Sequence, residues 1–198
     1  MKEKHNLIVN EIVNQFRTLT KQTKRNSEKM LFELINSNSV LELKELLIAI
    51  DSVFDECPNC FYFLVNGYCE SCMNEKRNSK KICVVSTILD AKNIIDKDVF
   101  DGVFHVIKGE IDINKNLGAS ELKIGELFDR IKDSDKVEVI VALNATFKGE
   151  ITSNYLIQEL LARHIKVSRL ARGIPFGGMV NYVDKETIKN ALKNRDKF

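Results

Sequence analysis

The chain has 198 residues, 44% of them hydrophobic and 29% charged, with a net charge of +2. That composition fits a water-soluble globular protein with room for one ordinary domain and small appendages, and its near-neutral sum says little about partners. No run approaches the roughly 18–20 apolar residues of a membrane span, and the charged start Met1-Lys2-Glu3-Lys4 is not a signal peptide, so the expected location is the cytoplasm.

Leu7, Ile8, Ile12, Val13 and Phe16 recur at helical spacing and predict an amphipathic helix over residues 6–18. A polar stretch from Thr18 to Lys29 follows. With Arg17 it gathers Lys21, Lys24, Arg25 and Lys29, opposed only by Glu28. Such a cluster between two helices suits DNA phosphates, and from spacing alone it suits a solvated connection equally well. Met30, Leu31, Leu34 and Ile35 continue a second helix, which Asn36-Ser37-Asn38 breaks. Ser39 and Glu42 read as a capping box for a third helix carrying Val40, Leu41, Leu43, Leu46, Leu47, Ile50 and Phe54.

Cys57-Pro58-Asn59-Cys60 and Cys69-Glu70-Ser71-Cys72 are two C-x2-C knuckles separated by residues 61–68. In a chain with five cysteines and no secretion signal, tight pairs favour metal over disulfides. Two sulfurs three residues apart hold one ion from a tight turn, and two such turns complete a tetrahedral four-sulfur shell with no open position for water. The expected cofactor is therefore one structural zinc ion on Cys57, Cys60, Cys69 and Cys72, with an iron–sulfur cluster as the alternative on the same ligands. The fifth, Cys83, sits in a strand run and reads as a small buried hydrophobe.

Beyond the cysteines the pattern changes. Ile82-Cys83-Val84-Val85, Val103 to Ile107, Val137 to Leu143 and Lys166 to Leu170 read as strands, with helical patterns near 88–96, 120–132 and 152–164 between them. Strands alternating with helices predict parallel βαβ units, so the fold class is α/β. A Gly-rich run, Arg172-Gly173-Ile174-Pro175-Phe176-Gly177-Gly178, and a last helix from about 184 complete the chain. The run lacks the Lys-Ser/Thr pair of a phosphate loop and reads on its own as a structural turn.

Helical start, C-x2-C-x8-C-x2-C, the strand Ile82 to Val85, the segment Asn144 to Glu150 after a later strand, and the closing Gly-rich loop occur here in one order. In that order the chain resembles, over essentially its whole length, the RecR family of bacterial recombination mediators. The resemblance implies a helix-hairpin-helix-like region over 1–55, a four-cysteine zinc finger over 56–73, a Toprim-like α/β domain over 80–172, and a C-terminal loop and helix over 173–198. It also implies a ring-forming homo-oligomer on gapped DNA or single-/double-strand junctions. Such an assembly acts with RecO- and RecF-type partners to help RecA replace single-strand-binding protein.

The sequence departs from the family pattern at four places. The hairpin usually reads Leu-Pro-Gly-x-Gly-x-Lys and here is Leu19-Thr20-Lys21-Gln22-Thr23-Lys24-Arg25, so both glycines are gone. Lys21, Lys24 and Arg25 then become the candidate DNA contacts, supplying charge in place of close backbone approach. Ser86 stands where the Toprim strand usually ends in Glu. Asn-Pro is replaced by Asn144-Ala145, and the acidic residues after the Gly-Gly pair by Met179 and Asn181. A magnesium site for phosphoryl transfer needs several strand-end carboxylates, and Glu150 alone does not make one. The expected protein is a non-catalytic mediator, with no catalytic residues. The alternatives are a zinc-ribbon adaptor without DNA binding of its own and a Toprim nuclease or primase.

Overall fold

The computed structural model describes residues 2–132 and 136–195, and the side chains from Asn6 onward. The chain divides into two compact units, residues 1–54 and 55–198.

The first unit is helical: α1 (Lys2–Thr20), α2 (Lys24–Asn36) and α3 (Val40–Val53). The basic residues expected in a connection lie mostly on helices, because α2 begins at Lys24 and leaves only Lys21, Gln22 and Thr23 between α1 and α2. Thr23 caps α2 by accepting the Asn26 N–H, which relieves one orphan donor of the first turn. The capping box expected at Ser39 does not form. Its hydroxyl donates to the Ser37 carbonyl instead. Among the described residues of this unit, only Val13 and Ser27 are fully buried. The apolar residues of α3 point in all directions and none is buried.

The second unit opens within a short ribbon of β1 (Phe54–Glu56) and β2 (Phe63–Val65) and continues into a four-stranded sheet. Its strands are β3 (Asn78–Val85), β4 (Gly102–Val106), β5 (Glu138–Val141) and β6 (Lys166–Arg169), in the order β4-β3-β5-β6 and all parallel. The helices are α4 (Ile88–Asp96), α5 (Gly125–Arg130), α6 (Phe147–Ala162) and α7 (Lys185–Lys193). The α4 span matches its sequence pattern, fixed by a reciprocal Thr87–Asp90 capping box. α6 starts five residues before its pattern because Thr146 caps it by accepting the Gly149 N–H.

Alternation along the strands builds two cores. Ile82, Val84, Val103, Val139 and Val141 face Leu127 of α5 and Leu156 and Leu160 of α6. Cys83, Val85, Phe104 and Val106 face Ala91 and Ile95 of α4, together with Cys57, Cys60, Phe61, Tyr62 and Cys69. Both faces of a parallel sheet are thus covered, as such sheets require. The cysteine segment forms part of the core on the α4 face.

Candidate functional site

The cysteine cluster is made by two turns brought together. Phe61 takes a left-handed conformation (φ 59°), and its N–H donates to the Cys57 carbonyl, closing the first knuckle. The Met73 N–H donates to the Cys69 carbonyl and closes the second. Cys57 Sγ lies 3.4 Å from Cys72 Sγ and Cys60 Sγ 3.5 Å from Cys69 Sγ, and all four sulfurs lie within 4.8 Å of one another. A tetrahedral shell with metal–sulfur bonds of about 2.3 Å has sulfur–sulfur edges of roughly 3.8 Å, so the set fits one ion. It is the only group of three or more potential ligands of this kind among the described residues. Crowding the thiols also splits their acidities. Hydrogen bonds from Cys60 and then Cys72 pull the Cys69 thiol far down, while the bond to Cys69 pushes Cys60 up. A cation shared by all four removes that conflict by favouring every thiolate. Cys83 is buried on the same face, and burial pushes its thiol up to about 12, the chemistry of an inert core cysteine.

The hairpin residues lie together at the α1–α2 turn. Lys21 has a left-handed backbone (φ 54°), the conformation glycine adopts without cost. Arg17 and Lys21 line an open groove with Asn14, Thr18 and Gln22. Lys24 leans on Asn10 (3.3 Å) and Glu28 (3.8 Å), and Lys29 pairs with Glu33 (3.8 Å). Lys21 and Arg25 form no ion pair among the described residues. Two lysines near the loops of the sheet are engaged by carboxylates: Lys108 by Glu56, and Lys148 by Asp112 at 2.5 Å. The Lys148 ammonium holds the Asp112 carboxyl below the usual carboxylate range.

At the carboxyl end of the sheet, β3 is the switch point, since its neighbours β4 and β5 follow on opposite sides. In open α/β sheets that crevice is where ligands bind. Ser86 is buried there, and its hydroxyl donates to Glu110 Oε1 at 2.9 Å, while Thr146 donates to Glu110 Oε2 at 3.3 Å. Gly149 is required beside them, because a Cβ would run into the Asn144 carbonyl. Glu150 is clamped by Arg169 at 3.4 Å and by Arg172 in direct contact. Sequence reasoning missed this clamp and the arrival of Glu110, for neither pairing has a spacing signature. Both join residues of different elements. His105 of β4 is wholly buried. Its Nε2 meets the Lys123 carbonyl at 2.7 Å, its Nδ1 has no partner among the described residues, and burial lowers its pKa to about 4.

Comparison with known proteins adds to this geometry. A family model described as Toprim domain matches residues 80–171, and one described as RecR, C-terminal matches residues 173–195. A protein named Recombination protein RecR from Dehalococcoides mccartyi is 32% identical over 192 residues, covering 96% of this chain and 94% of that protein. The protein of the same name from Bdellovibrio bacteriovorus is 35% identical over 159 residues, covering 77% and 78%. That from Syntrophobacter fumaroxidans is 31% identical over 193 residues, covering 96% of each chain.

Proposed function

The chain belongs to the RecR family of recombination proteins, and on that premise we propose that it is a non-catalytic, DNA-binding mediator of recombination and DNA repair. It acts at gapped DNA and strand junctions with RecO- and RecF-type partners and promotes RecA loading in the cytoplasm, at the nucleoid. The observation that carries this reading is the contrast between its two charged sites. At the sheet's carboxyl end, Asp112 is held by Lys148 and Glu150 by Arg169 and Arg172, so these carboxylates are engaged by cations of the chain itself. A magnesium-dependent nuclease or primase needs them for metal. At the hairpin the balance is reversed, and Arg17, Lys21 and Arg25 carry positive charge without an acidic partner among the described residues. In this reading Cys57, Cys60, Cys69 and Cys72 hold one structural zinc ion per chain. The zinc finger spans 56–73, between a hairpin region at 1–55 and the Toprim-like domain at 80–172, and 173–198 is the assembly segment.

Burial supports assembly. A helix that is apolar all round belongs in a core, and a unit of this size needs more burial than its own three helices supply. An identical unit is always present at equal concentration, so a homo-oligomer, closing into a ring, is the natural cover for Leu41, Leu46, Leu47 and Ile48. Linked subunits then present several weak hairpins to one DNA, and the hairpins act at high effective concentration.

The test is gapped-DNA binding as a function of salt, by wild type and by a Lys21→Ala, Lys24→Ala, Arg25→Ala triple variant of matched oligomer size. Binding to phosphates releases counterions, so the variant's log–log salt slope should flatten by roughly 0.9 for each phosphate no longer neutralised, and affinity should fall on every sequence. An unchanged slope and affinity in a normally assembled variant would point instead to the adaptor without DNA binding of its own.

A further inference from the structure

We propose that the metal-bound knuckle serves as a guard for the outer edge of β4, and that losing the metal opens that edge to a second copy of the chain. The proposal goes beyond the mediator reading and rests only on its zinc assignment.

β4 is the terminal strand of the sheet. In a parallel strand, alternate residues turn both backbone groups to the same side. Val103, His105 and the following Ile107 face β3, where the Ile107 N–H donates to the Val85 carbonyl. Gly102, Phe104 and Val106 therefore face outward. Such a row of unmatched donors and acceptors on an apolar strand is a template for another chain.

Here the outward N–H groups of Phe104 and Val106 are matched by the cysteine segment. The Phe104 N–H donates to Ser71 Oγ at 2.9 Å, and the Val106 N–H to the Cys60 carbonyl at 2.9 Å. Arg77 Nη1 donates to the Phe100 and Gly102 carbonyls at 3.2 and 3.1 Å, while its Nε holds the Glu70 carbonyl at 3.1 Å. The Phe104 carbonyl, like that of Gly102, is served from outside the C-x2-C turns, by Arg130 at 2.6 Å. Two of these partners, Cys60 and Ser71, lie in the C-x2-C turns themselves, and the Glu70 carbonyl of the second turn holds Arg77 in place. Ser71 is buried, with its hydroxyl committed to the edge.

Turns closed by four thiolates on one ion lose their reason to stay closed when the ion leaves. The outward N–H groups of Phe104 and Val106 are then bare. The strand Gly102-Val103-Phe104-His105-Val106 is wholly buried in the folded unit and carries no lysine or proline to repel a neighbour. The same edge on a second copy is self-complementary, as a two-fold contact demands. The four-cysteine site thus makes this chain's association metal-sensitive through β4.

The test uses the full chain with its metal content measured first, so that a failed zinc assignment is seen separately. Amide hydrogen exchange and light scattering are followed before and after chelation under reducing conditions. Chelation should speed exchange at Phe104 and Val106 at least tenfold in dilute protein and leave the β5 amides unchanged. Raising the concentration should increase the mass beyond that of the metal-loaded protein, and restored zinc should reverse this. Ser71→Ala, which keeps all four cysteines, should retain the metal and speed exchange at Phe104 while Val106 holds. Unchanged exchange at both amides after chelation, or an Ser71→Ala variant with Phe104 still protected, overturns the proposal. So does loss of protection throughout the sheet, which would make the knuckle a staple for the whole unit. An opened edge with no rise in mass overturns the second copy as its occupant.

Discussion

The two units of this chain use similar apolar material very differently. In residues 1–54, Leu41 is 72% exposed on α3 and the fully buried set among the described residues is Val13 and Ser27. In residues 55–198, Leu156 and Leu160 of α6 are wholly buried against one face of a parallel sheet, and the cysteines sit in the core on the other. Apolar residues are abundant in both helices. What differs is whether the unit contains its own second layer, which the sheet supplies and three short helices do not. A helical stretch rich in leucine therefore reports that a surface will be covered, without saying by what.

The largest expected effect tests the cysteine-containing core. Cys60→Ser removes one of four ligands of a buried cluster, and the bound metal should fall to a small fraction of one per chain. The cysteine turns should melt well before the sheet, which keeps its own protection, checked by elemental analysis, calorimetry and amide exchange, because the metal is what closes those turns. A variant that melts and binds metal like wild type would reassign the ligands.

Next comes a matched pair of leucine truncations. Leu156→Ala should cost about 2–5 kcal/mol in denaturant unfolding, the usual range for a buried leucine. Leu41→Ala should change the stability of dissociated chains by less than about 0.5 kcal/mol, yet weaken association measured by ultracentrifugation. If both substitutions cost the same in dissociated protein, the contrast between the units fails.

The buried imidazole adds a pH dependence to the second unit alone. His105 is held neutral by burial, with its pKa lowered to about 4 against 6.5 in an unfolded chain. The unfolded state therefore takes up the proton first as pH falls. This contribution to stability is complete above pH 6.5 and is lost progressively between 6.5 and about 4, to an extent on the order of 3 kcal/mol. The ring resonances of His105 should remain those of the neutral form at pH 5, where those of an ordinary histidine would have titrated.

The smallest effect belongs to the hairpin. Lys21 holds φ at 54°, a conformation that costs an L-residue about 1 kcal/mol. Lys21→Gly should relieve that strain and stabilise the first unit by up to about 1 kcal/mol, while removing one cation from the groove at the hairpin. Higher thermal stability with weaker, less salt-sensitive DNA binding is the expected pair of readouts. Lower stability would mean that Lys21 gains more from its surroundings than the backbone loses.

Sequence alone carried the α/β class, the four strands to within a residue or two at most ends, α4 at its full span, and the four cysteines as one cluster. Each of these is a local signal: period 2, period 3.6, a capping pair, or ligands three residues apart. The α6 start was displaced because Thr146, six residues before the pattern, captured the Gly149 N–H. The short ribbon β1–β2 escaped because three-residue strands carry too few alternations to read. Tertiary structure alone decided the rest. It brought Glu110 to Ser86 across 24 positions of sequence, Arg172 to Glu150, Lys148 to Asp112, and Ser71 to the open edge of β4. Spacing along the chain cannot encode such pairs, because a charge or a hydroxyl finds its partner through the register of strands and the depth of burial, and both exist only once the sheet has closed over its two cores.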